Sequence, residues 1–122
     1  MNQSSTAHVS RCLVALRASL LAIGVLLASQ PAMAEDPSFE IVARDGRLSP
    51  EVLEVPAGVK LKLILRNEGN APVEFESLAL RVEKVLGPNA MAKVTVQPLT
   101  PGTYVFVDEF HAETGKMKLL AK

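Results

Sequence analysis

From residue 39 onward the apolar and polar positions of this chain repeat with a period of two, not 3.6. Phe39, Ile41 and Ala43 alternate with Glu40 and Arg44, which predicts a first strand closed by the turn residues Asp45-Gly46-Arg47. After Pro50 a short extended piece puts Leu53 and Val55 on one face, and Pro56-Ala57-Gly58 turns the chain again. The clearest strand covers residues 60–66: Leu61, Leu63 and Leu65 line one side, Lys60, Lys62 and Arg66 the other. Residues 67–72 read as a loop from their turn chemistry. Val73-Glu74-Phe75-Glu76-Ser77 alternates again, residues 78–86 fit neither period, and Gly87-Pro88-Asn89 breaks the chain. Alternation resumes over residues 93–97, turns through residues 98–102, and gives two last strands over residues 104–108 and 116–121. About seven short strands between Gly, Pro and Asn turns, with almost no helical signal, predict an all-β antiparallel sandwich or small barrel.

The first 34 residues break this pattern. A polar stretch with Arg11 and Arg17 precedes an apolar run over residues 18–28, and Pro31-Ala32-Met33-Ala34 ends in a small-x-small pattern. This predicts a secretory signal peptide over residues 1–34, followed by one small domain over residues 35–122. The apolar run is well short of the roughly twenty residues that span a bilayer, so after cleavage the protein is expected not to cross the membrane. Cys12, the one cysteine, would leave with the signal, and the domain would fold without a disulfide.

Charge adds mainly exclusions. Thirteen basic residues balance thirteen acidic ones, and loss of Arg11 and Arg17 would leave a mildly acidic domain with no nucleic-acid or membrane-surface footprint. There is no Gly-x-Ser-x-Gly elbow and no phosphate-binding glycine loop, and a domain this small leaves little room for the sugar cleft of a glycosidase. Of the two histidines, only His111 lies in the domain.

The stretch Tyr104-Val105-Phe106-Val107-Asp108-Glu109-Phe110-His111 carries the candidate chemistry. Asp108 has the parity of Tyr104 and Phe106, so if those face the core Asp108 faces it too. An inward carboxylate needs a hydrogen-bond donor, a cation or a metal. His111, three residues on, is close enough to share an ion with it, and imidazole plus carboxylate suits Cu(II), Fe or Zn. The competing reading is that Asp108 opens a turn, satisfying nearby amides, while His111 is simply exposed. Glu74 and Glu76 share one face of their strand, and Glu83 and Glu109 add further carboxylates. Gathered round Asp108 and His111 they would make a hard, oxygen-rich site; singly, each reads as a solvated face. Met91, near a loop, could lend sulfur, whereas Met117 alternates with Leu119 as core.

The order Val55-Pro56-Ala57-Gly58, Leu61-x-Leu63-x-Leu65-x-Asn67-x-Gly69-x-x-Pro72, Pro101-Gly102-x-Tyr104-x-Phe106-x-Asp108-x-x-His111 and Gly115-Lys116-Met117 resembles the cupredoxins over residues 39–120. The resemblance implies a Greek-key β-sandwich with its metal site at one end. Asp108 stands where that family carries a cysteine ligand, Val73 stands in place of its first histidine, and its axial methionine has no secure counterpart.

The substituted segments are similar to those of periplasmic cupredoxin-like proteins of bacterial iron uptake. That similarity implies a periplasmic component that oxidises Fe(II) with a bound copper and delivers Fe(III) to an inner-membrane iron permease. Asp108 and His111 would be the primary ligands, with Glu74, Glu76 or Glu83 at the copper or an adjacent iron. One copper accepts one electron, so an electron-transfer component would have to complete the cycle. Two alternatives stand beside it: a carrier of copper or iron without redox chemistry, and a metal-free interaction module on the same scaffold.

Overall fold

The computed structural model describes residues 32–122, so the expected signal peptide lies almost wholly outside the described residues. Residues 33–122 form one compact unit of nine strands: β1 (Ser38–Arg44), β2 (Arg47–Ser49), β3 (Val52–Val55), β4 (Leu61–Asn67), β5 (Val73–Ser77), β6 (Val82–Leu86), β7 (Met91–Val96), β8 (Gly102–Asp108) and β9 (Lys116–Ala121). They make a four-stranded sheet in the order β2-β1-β4-β7 and a five-stranded sheet in the order β3-β9-β8-β5-β6.

The sandwich is as expected, but neither sheet is purely antiparallel. β1 runs parallel to β4, and β3 parallel to β9. Alternation fixes which face of a strand is buried; it does not say which strand lies alongside or in what direction.

Leu61, Leu63 and Leu65 of β4 are fully buried, as are Phe75 of β5 and Phe106 of β8, so each sheet supplies an apolar layer to one core. Each such side chain contributes roughly 1.5–3 kcal/mol by leaving water. Met117 and Leu119 of β9 join that core, while Phe39 and Tyr104 pack at its margin. The Tyr104 hydroxyl donates to the Thr100 carbonyl at 2.8 Å.

Residues 78–86, unreadable by period, resolve into a turn followed by β6, an edge strand buried only at Val82 and Leu86. An edge strand covered on one side has no inner row to alternate against along its middle. Among the described residues no helix is long and apolar enough to cross a membrane.

Candidate functional site

β8 ends on Asp108, and parity places it as expected: it points inward and is 0% exposed. A buried carboxylate must be satisfied, and here it is. Oδ1 accepts from the backbone N–H of Glu74 and of Phe110, each at 3.1 Å, and Oδ2 faces His111 Nδ1 at 2.7 Å. The two readings of Asp108 therefore both hold in part. It faces inward, and it also caps the 3-10 turn Glu109–His111.

The loop is closed behind it by backbone bonds from Asp108 N to Gly115 O and from Gly115 N to His111 O, both 2.7 Å. Gly115 has no freedom to be anything larger. A Cβ there would lie 2.7 Å from Asp108 Cβ and 3.1 Å from the His111 carbonyl oxygen. Gly115→Ala is expected to cost about 1–3 kcal/mol through displacement of this loop, read as a lower urea midpoint at unchanged slope.

His111 is half-exposed, its side chain at 39%. The ring lies against Gly46, where an added Cβ would come within 3.1 Å of His111 Cδ2 and where φ is +71°. Thr114 Oγ1 donates to the Gly46 carbonyl at 2.6 Å, tying the β1–β2 turn to the same loop. His111 thereby lines an open cavity of about 380 Å³ at the end of the sandwich, with Arg44, Asp45, Asn70 and Thr114 around it. In the neutral ring, a carboxylate against Nδ1 favours the tautomer with the proton on that nitrogen, which leaves Nε2 its lone pair. A carboxylate holding one imidazole nitrogen so that the other can ligate is a common support for a metal-binding histidine.

The four glutamates lie elsewhere. In β5 the buried residues are Val73, Phe75 and Ser77, so Glu74 and Glu76 point out of the sandwich on the face opposite Asp108. Glu76 stands directly across from Glu83 of β6 and from Val107 of β8. Its carboxyl is hydrogen-bonded to that of Glu109, and its pKa is raised. That hydrogen bond is the main cause, followed by burial and by the charges of Glu109, Glu74 and Glu83.

The expectation of one oxygen-rich site round Asp108 and His111 is thus revised. The sheet separates an inward Asp108–His111 pair from an outward carboxylate group. Glu74 bridges the two only through its backbone N–H. Met91 stands on the outer face of the four-stranded sheet, opposite Arg66, apart from both groups. No side-chain pattern marks the backbone donors to Asp108, and in the sequence the steric role of Gly115 is marked only by the Gly115-Lys116-Met117 motif.

These donors do not fit the copper that the cupredoxin resemblance implies. Asp108 replaces the thiolate, both its oxygens are committed to N–H donors, and Nδ1 of His111 is committed to Asp108. Among the described residues no three His, Cys, Asp or Glu side chains converge to enclose an ion. Nε2 of His111 is a single imidazole donor, and a blue-copper centre needs more than that.

Comparison with known proteins agrees with the fold. The described residues superpose on reduced auracyanin from the photosynthetic bacterium Roseiflexus castenholzii with a TM-score of 0.59 at 15% identity, covering 73% of this chain and 99% of that one. A purple cupredoxin from Nitrosopumilus maritimus gives 0.52 at 16% identity, over 68% and 98% of the two chains. The metal-binding domain of the Cu(I)-exporting P-type ATPase of Streptococcus pneumoniae D39 gives 0.59 at 13% identity, over 70% and 84%. At these identities the likeness is one of fold. In sequence, an uncharacterized protein of Rickettsia prowazekii (strain Madrid E) is 34% identical over 77 residues, a match spanning 63% of this chain and 62% of that protein's length. The cupredoxin-like domain family matches residues 17–121, and this chain belongs to it.

Proposed function

We propose that this cupredoxin-like domain is a metal-handling protein of the periplasm, binding iron as cargo on Glu74, Glu76, Glu83 and Glu109 and passing it to an inner-membrane iron permease. The observation that carries this reading is the pairing of the Glu76 and Glu109 carboxyls, with Glu83 directly across from Glu76 in the strand register. No three of these side chains converge as they stand, so an ion is held first by the pair and draws the others in. Among the described residues none of the four makes a salt bridge. Like charges held together without a cation are costly, and a hard cation relieves the cost.

The group's place on an outer sheet face, with Glu83 and Glu109 exposed and Glu74 and Glu76 half-buried, favours cargo over a resident cofactor. An ion on exposed, adjustable side chains exchanges readily, whereas a retained cofactor calls for an enclosed, preorganised shell. For that reason the carrier reading is preferred to copper-dependent Fe(II) oxidation, which would require a copper shell that these donors do not form. No redox step is assigned.

Glu76→Gln is expected to weaken iron binding at least about tenfold, or ~1.4 kcal/mol, while His111→Ala leaves it unchanged. Anaerobic Fe(II) and chelate-buffered Fe(III) titrations of purified protein measure both. Unchanged binding in Glu76→Gln would refute the site. Faster Fe(II) loss with copper-loaded protein and an electron acceptor would restore the oxidase reading.

The pH dependence has a fixed sign. Because the folded state raises the Glu76 pKa, its contribution to stability is full below the ordinary glutamate range and is lost as pH rises through the raised value. Without metal, wild type should lose stability across that window and Glu76→Gln should not, as followed by urea unfolding at several pH values. Iron affinity should run the other way, falling as acid protonates Glu76.

A further inference from the structure

The outer face of the five-stranded sheet carries a second pattern. Strand register sets Lys116 of β9, Val107 of β8, Glu76 of β5 and Glu83 of β6 in one row. The next row holds Val52 of β3, Lys118 of β9 and Val105 of β8. On this face lysines stand on β9 and carboxylates on β5, on β6 and in the turn after β8, with valines between, while Glu54 of β3, beyond β9, is paired with Lys122 and Lys84 sits at the β6 edge.

The apolar residues here are unusually open. Leu78, in the turn after β5, is 82% exposed, Val52 53% and Val105 45%. Val105 forms a ridge between two shallow grooves. One, of about 280 Å³, is lined by Glu51, Val52, Lys116 and Lys118 and is net basic; the other, of about 360 Å³, by Glu76, Leu78 and Glu109.

We propose that this face pairs with the same face of a second copy as a two-fold symmetric dimer. A two-fold contact demands a self-complementary patch. A face of one sign would repel its own copy, whereas this one changes sign across Val105. A two-fold axis at Val105 lays the acidic groove of each copy on the basic groove of the other. Glu76 and Glu109 then meet the partner's Lys116 and Lys118, and Leu78 enters the groove beside the partner's Val52. Apolar contact at the centre with complementary charge around it is the usual anatomy of a specific interface. Five strands span about 19 Å, a small patch, so the dimer is expected to dissociate in roughly the micromolar range.

The dimer does not depend on the iron reading, but the two share Glu76 and Glu109. If both hold, iron loading shifts the equilibrium toward monomer.

Charge reversal with complementation tests the interface. Lys116→Glu with Lys118→Glu makes one variant, and Glu76→Lys with Glu109→Lys the other. Sedimentation velocity over a range of concentrations should show each variant alone dimerising at least about tenfold more weakly than wild type. In an equimolar mixture both contacts of the two-fold interface become attractive again, and dimer should return. High ionic strength should weaken the wild-type dimer, and Leu78→Ser, at an exposed turn, should weaken it without affecting the fold. A wild type monomeric at every concentration, variants that dimerise like wild type, or a mixture no tighter than its components would each overturn the proposal. Failure of iron binding alone would leave it standing.

Discussion

Replacing Asp108 by alanine is expected to remove about 3–5 kcal/mol of stability, a large share of the 5–15 kcal/mol typical of a domain. The cost has identifiable parts. Oδ1 is the acceptor for two backbone N–H groups, Glu74 at the start of β5 and Phe110 in the capped turn. Each left without a partner costs about 1–3 kcal/mol. His111 also loses the group at 2.7 Å that fixes its ring. Urea unfolding measures the total, and a loss under about 1 kcal/mol would show that the loop satisfies these donors another way.

Asp108→Asn separates the structural from the chemical part. The amide oxygen can replace Oδ1, so most of the stability should survive. Its NH2 group would then face Nδ1 of His111, moving the ring proton to Nε2 and removing the outward lone pair. Imidazole ¹⁵N shifts should report the exchanged tautomer although the fold persists. An unchanged tautomer would contradict the orienting role of Asp108.

How far this was legible follows from what parity can and cannot carry. The inward aim of Asp108 followed from Tyr104 and Phe106, and the buried row Leu61, Leu63 and Leu65 from simple alternation. The outward aim of Glu74 and Glu76 was equally readable, since Val73 and Phe75 take the core positions. What was not readable is that β5 lies beside β8, setting Glu76 across from Val107 and Phe75 across from Asp108. Without that pairing, an inward acid and two outward acids look like one cluster; with it, they stand on opposite faces. The partners of Asp108 were hidden for a different reason. Two are backbone N–H groups, which every non-proline residue carries and which no side-chain pattern marks. The mixed direction of the sheets was likewise a matter of long-range pairing.

Asn67→Ala is expected to cost about 2–4 kcal/mol, the other large effect. At the end of β4 its side chain is fully buried, and it makes the contacts of a whole turn by itself. Nδ2 lies within hydrogen-bonding distance of the carbonyls of Ala71 at 2.8 Å, Gly87 at 3.0 Å and Leu86 at 3.2 Å, while Oδ1 accepts from Gly69 N at 2.9 Å. These bonds fold the loop over residues 68–72 and fasten it to the end of β6, from which the chain passes back to β7. Alanine leaves the carbonyls and the Gly69 N–H short of a partner in a partly buried place, at about 1–3 kcal/mol for each group that water cannot reach. Asn67→Asp discriminates further: it retains the acceptor for Gly69 N but turns a carboxylate toward three carbonyl oxygens, so it should be no better tolerated than alanine. Because the same loop leads into Val73 and Glu74, the Glu74 N–H held by Asp108 should lose protection from hydrogen exchange in both variants, ahead of the amides of β4. Full retention of that protection in Asn67→Ala would mean that β5 is set by its strand partners alone and that the Asn67 bonds shape only the loop.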